Sequence, residues 1–190
     1  MNKIVIPMLR PGDEPVLAGR LAGKRAFSAA LEKLPEMTEP TLVLLDFADV
    51  DLATSSFLSE ALLPLRDHLG LRGQPGYVVA ANLKDGVREE IEEMLRRSGD
   101  ALLSCTITAA GQVGDVQLCG KLEDTLHETL SLVSRKGETT AVQLHEESRA
   151  FDPVGATAWN NRLASLAAKR LVVEILRGRT KKYRPVLEVA

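Results

Sequence analysis

The spacing of apolar positions changes along the chain, and the change divides it. In the first part, short apolar runs alternate with longer amphipathic ones. Residues 4–8 form a short β-like run, and residues 16–34 predict a helix that Pro35 ends. Residues 41–47 (TLVLLDF) are almost continuously apolar. That pattern suits a strand buried on both faces of a helix-covered sheet. Residues 55–69 predict a helix, 76–81 a strand, and 85–97 a charged helix. Val87, Ile91 and Leu95 recur every four residues and mark the inner face of that last helix. Residues 101–107 and 113–118 predict two further strands joined near Gly111. The reading is a small sheet with helices packed on it.

Near Gly120 the strand signals stop. Leu122, Leu126, Leu130 and Val133 repeat at helical spacing over 121–135, and Gly137 follows as a C-terminal glycine should. Thr139 or Thr140 can cap a second, shorter helix that runs toward Ala150. Asp152-Pro153 begins a turn, residues 155–171 predict a third helix, and residues 172–187 carry a hairpin signal around a charged, glycine-containing turn. The expected domains are therefore 1–119 and 120–190.

The formal net charge of −2 hides an asymmetry. Residues 1–150 hold 16 Lys+Arg against 23 Asp+Glu, a balance of −7, and residues 151–190 hold 8 against 3, a balance of +5. A basic C-terminal quarter suits a polyanionic partner, and equally a solvated charged tail. No apolar run approaches the roughly 18 residues that span a bilayer, so no membrane partner is expected. MNKIVIPMLR is too short for a signal-peptide core. Cys105 and Cys119 fall in predicted strands without metal-like spacing and read as buried thiols, which suits a cytoplasmic location.

On a wheel of 100° per residue, Trp159, Leu163, Leu166 and Ala167 share the core face of the third helix. Thr157, Asn161, Ala164, Ser165 and Ala168 take the opposite arc, with Asn160 and Arg162 at its edges. Small residues let a backbone approach a groove, and Asn can bond adenine bidentately. Arg177, Arg179, Lys181, Lys182 and Arg184 crowd the hairpin tip and its second strand, where they can contact phosphates. Tyr183 and Trp159 read as core anchors. Any surface helix also shows a small polar outer face.

This segment, TAWNNRLASLAAKRLVVEILRGRTKKYRPV, resembles the winged helix-turn-helix of MarR/ArsR-type regulators. Arg162-Leu163, Leu166 and Lys169 to Leu171 match the recognition-helix pattern, and Arg170 replaces the usual glycine at the helix end. The resemblance implies double-stranded DNA as partner, with Thr157, Asn160, Asn161 and Arg162 toward the groove and Arg177, Arg179, Lys181 and Lys182 on the wing. Such regulators act as dimers on two half-sites, so a homodimer is one expectation, although no dedicated dimerisation helix is visible.

In the first part, LLDFADVDLATSSFLSEALLPL resembles STAS domains of the anti-sigma-factor-antagonist type, and more closely a STAS-like family of unknown function. Asp46, Phe47, Val50, Thr54, Ser55, Ser56, Phe57 and Glu60 carry the likeness. It implies a loop serine phosphorylated by a GHKL-type kinase partner at Ser56, or at Ser55. Helix capping is the plainer role for these hydroxyls. Thr54 stands where the family has an acidic residue, and Phe57 where it has glycine. The fold class is thus α/β: a STAS-like mixed sheet with packed helices, followed by a winged helix-turn-helix.

No cofactor and no enzymatic activity is expected. His68, His127 and His145 are scattered, no metal-ligand spacing or Gly-x-Ser-x-Gly elbow occurs, and Glu89-Glu90 with Glu92-Glu93 read as a solvated helix face. Arg20, Gly23, Lys24 and Arg25, near an early helix, could hold a phosphate but lack Walker spacing, and a solvated helix face is the plainer reading.

Overall fold

The computed structural model describes residues 1–108 and 110–187. It is an α/β chain that separates into two compact units, one from Met1 to Lys121 and one beginning at Leu122.

In the first unit, β1 (Asn2–Pro7), β3 (Thr41–Asp46), β5 (Gly76–Ala81), β6 (Ala101–Ile107) and β7 (Val113–Gly120) form one sheet in that order. The first four strands run parallel, and β7 returns antiparallel to β6. Three helices make the parallel crossovers: α1 (Arg20–Lys33), α2 (Ser55–Leu71) and α3 (Asp85–Ser98). As the uninterrupted apolar runs predict, Leu42 to Leu45 of β3 and the whole of β5 are buried. Val43, Leu45, Val78 and Ala80 pack in one cluster with Leu58, Leu62 and Leu65 of α2 and Ile91 and Leu95 of α3. Each fully buried leucine contributes about 2 kcal/mol of transfer free energy.

The first helix is shorter than the sequence predicts. Val16–Leu17 form a two-residue strand, β2, paired parallel with β4 (Leu52–Ala53). Gly19 at φ +85 then turns the chain into α1. Thr54, which follows β4, caps α2 by accepting from the Phe57 N–H. Helix α1 packs closely on α2 through Gly23: a Cβ there would stand 2.5 Å from the Phe57 carbonyl oxygen.

The second unit has three helices and a hairpin: α4 (Asp124–Lys136), α5 (Ala141–Ser148), α6 (Ala156–Ala168), β8 (Val172–Arg177) and β9 (Thr180–Pro185). Thr140 caps α5 in a reciprocal capping box with Gln143. Between α4 and α5, Thr139 makes a bridge to Tyr183 of β9, with both backbone hydrogen bonds formed at 2.9 and 2.8 Å. The core gathers Leu130 and Val133 of α4, Leu144 of α5, Trp159, Leu163 and Leu166 of α6, and Tyr183.

Helix α6 stops before its predicted end. Arg170 adopts φ +60, the conformation a glycine would ordinarily supply there. Its N–H reaches the Ala167 carbonyl, and the Leu171 N–H reaches that of Leu166, both at 3.0 Å. Leu166 and Leu171 are buried together, completing a Schellman-type cap. Arginine at the helix end thus adopts the left-handed conformation that glycine more often supplies.

Candidate nucleic-acid interface

The apolar stripe of α6 determines which of its residues face outward. Trp159, Leu163 and Leu166 are 1%, 0% and 0% exposed. Thr157, Asn160, Asn161, Ala164, Ser165 and Ala168 are all exposed. Gly155 precedes the helix without a side-chain cap, which leaves N–H groups of the first turn free of side-chain acceptors from that position.

Arg162 has a different setting from its neighbours. Its Nη1 donates to the Asp152 carboxylate at 2.5 Å, and its guanidinium lies over the Trp159 ring. The side chain is only 15% exposed. The hydrogen bond from Arg162 holds the Asp152 carboxyl below its ordinary range. Arg162 therefore fastens the start of α6 to the segment before it, whereas Thr157, Asn160 and Asn161 are presented outward.

The hairpin is joined by Gly178-Arg179, with Arg177 opposite Thr180. Gly178 takes φ +62 at the first turn position, as a type II′ turn requires. Arg177 and Arg179 are exposed, and no ion-pair partner is found for either among the described residues. The two lysines are held. Lys181 pairs with Glu174 at 2.9 Å and Lys182 with Glu138 at 2.7 Å. The Lys182 hydrogen bond depresses the Glu138 carboxyl. Tyr183 is fully buried, and its hydroxyl meets Glu174 at 3.2 Å. Burial, then the Glu174 charge, pushes its phenol up to about 12.

Of these carboxylates, Glu174 was within reach of the sequence. A two-residue turn at 178–179 sets the register and brings 174 beside 181 and 183. Glu138 carries no such local signal.

Ser55 and Ser56 lie in the first turn of α2. The Ser55 N–H and hydroxyl both donate to Glu90 Oε2, at 3.1 and 2.5 Å. Ser56 Oγ lies 3.1 Å from the Thr54 hydroxyl. Both serines are half-buried. A carboxylate against Ser55 would repel a phosphate there, so of the two Ser56 has the more permissive surroundings. At the C-terminal strand ends, Asn82 at φ +55 donates to Asp46 and accepts from the Ile107 N–H, each at 2.8 Å. Cys105 and Cys119 are buried as free thiols, and burial pushes both up, Cys105 to about 11. Among the described residues no cluster of His, Cys, Asp and Glu could hold a metal ion, and no helix is long and apolar enough to cross a membrane.

No protein-family model matches the chain, and no curated protein sequence matches it.

Proposed function

We propose that the chain is a DNA-binding transcriptional regulator, in which a STAS-like first unit receives a signal or a partner protein and a winged helix-turn-helix binds double-stranded DNA. One arrangement carries this reading. Helix α6 is clamped by Trp159, Leu163 and Leu166 and offers Thr157, Asn160 and Asn161 outward, while packing beside a hairpin with Arg177 and Arg179 at its tip. The helix would enter the major groove, and the hairpin arginines would meet flanking phosphates. The Thr139 bridge supports it, because it adds a third backbone segment to the hairpin at the place a winged helix requires. A mobility-shift assay over genomic fragments tests the reading. Salt-sensitive shifting, weakened by Arg177→Ala with Arg179→Ala, supports it. Folded protein that shifts no fragment at low salt refutes it.

A second reading is a protein-interaction switch partnered by a GHKL-type kinase. The position of Ser56 favours it: a hydroxyl in the first turn of α2, at the positive end of the helix dipole, which favours added negative charge. Intact mass after co-expression with such a kinase tests it, and loss of an added phosphate in Ser56→Ala would assign the residue.

A further inference from the structure

The basic cluster near the start of α1 does not act as one group. Gly23 faces α2, and Arg20 lies 4.0 Å from Glu60 of that helix. Arg25 lies elsewhere, on the wall of a cavity between α1 and the edge strand β1. Two cavities of about 210 and 320 Å³ share Arg10, Arg25 and Ala29 as lining. Arg10 comes from the segment after β1, so the fold brings it to Arg25. Lys33 lines the first cavity and Lys24 the second.

The space exists because α1 places Ala22, Ala26 and Ala29 against it, and single-carbon side chains cannot fill the gap to β1. The rest of the wall is apolar, with Ile6, Met8 and Leu17. The rim is cationic. Arg10, Lys24, Arg25 and Lys33 outnumber the carboxylates Asp13 and Glu32 by four to two. Among the described residues none of those four cations has an ion-pair partner. Guanidinium groups beside an apolar wall select an anion that also has something to bury, since the head pairs with the fork while the body leaves water.

We propose that this cleft binds an amphipathic anion, with one phosphate or carboxylate head held between Arg10 and Arg25 and a short alkyl body lying on the alanine face of α1. The cleft lies wholly within the first unit, so its ligand is tested independently of DNA binding.

The test is a titration of the ¹⁵N-labelled full chain, followed by amide shifts, with octyl phosphate, octanoate, octanol and inorganic phosphate. Octyl phosphate or octanoate is expected to shift Met8, Arg10, Arg25 and Ala29 saturably, at a Kd below about 1 mM. The stronger of the two identifies the head group. Arg25→Gln, an exposed position, should weaken binding about tenfold. Ala29→Leu should fill the cleft and abolish binding with the thermal midpoint retained. Absence of saturable shifts with both anions overturns the proposal, as does undiminished binding in Arg25→Gln. Equal binding of octanol or of inorganic phosphate, each of which needs only half of the site, overturns it too.

Discussion

The Arg162 guanidinium stands 4.7 Å from the centre of the Trp159 ring while it bonds the Asp152 carboxylate. Two residues of α6 and one from the segment before it thus form a clasp, with the Arg162 and Asp152 side chains 15% and 19% exposed. Removing the guanidinium leaves the carboxylate with only its backbone partner at Val154 and the ring without its cation. Arg162→Ala should lower stability by about 2 kcal/mol. Denaturant unfolding checks this, and an unchanged midpoint with an unchanged slope would show that the clasp contributes nothing.

The same clasp predicts a pH dependence. The folded Asp152 carboxyl titrates below its ordinary value of 3.8, first because Arg162 donates to it. A depressed folded value means that the stabilisation is complete above the ordinary value and is lost as pH falls through the depressed one. Trp159 is the sole tryptophan, so its emission reports the step. The emission should change with a midpoint below 3.8, and Asp152→Asn should remove that transition.

If the hairpin meets DNA as proposed, its arginines and lysines should contribute differently. Each phosphate that a substitution leaves without its cation should reduce the slope of log K against log salt by about 0.9. Arg177→Ala and Arg179→Ala are expected to show this reduction. Lys181→Ala should show less, since Glu174 already neutralises that ammonium. Asn161→Ala should cost about 1–3 kcal/mol on a preferred site and little on random sequence. Affinities measured across a salt series separate these outcomes.

Asn82 combines a left-handed backbone with two side-chain hydrogen bonds, to Asp46 and from Ile107. Asn82→Ala loses both bonds and adds the steric cost of φ +55, together about 3 kcal/mol. Asn82→Gly loses the bonds alone and should be about 1 kcal/mol less damaging. Thermal or chemical unfolding of the pair tests the ordering, and Ala proving milder than Gly would contradict it.

Gly23 sets the distance between α1 and α2. An added Cβ would meet the Phe57 carbonyl oxygen at 2.5 Å and the Glu60 Cβ at 2.9 Å. Both lie on or next to backbone that cannot swing aside. Gly23→Ala should therefore cost about 2 kcal/mol despite the better helix propensity of alanine. A stabilised variant would mean that the helices separate freely.

The elements themselves were legible in the sequence because their signals are local. Val87, Ile91 and Leu95 predicted the inner face of α3, and all three are fully buried. The run from Thr41 predicted a strand covered on both faces, and Trp159, Leu163 and Leu166 predicted the core side of α6. Periodicity missed β2 and β4, because a two-residue strand has no period to detect. It also overran the end of α6, where an arginine takes the conformation expected of glycine.

The sequence by itself therefore determined the order and type of the elements other than β2 and β4, the inward faces of α3 and α6 and the basic character of the last hairpin. Apart from the hairpin pair of Lys181 and Glu174, tertiary structure decided which charge meets which. Arg162 turned to Asp152, Lys182 to Glu138 and Ser55 to Glu90, and Arg10 came to share a cavity wall with Arg25. The physical reason is range. Helix and strand patterns arise from neighbours a few residues apart, whereas an ion pair or hydrogen bond forms only when folding brings distant side chains within about 3–4 Å.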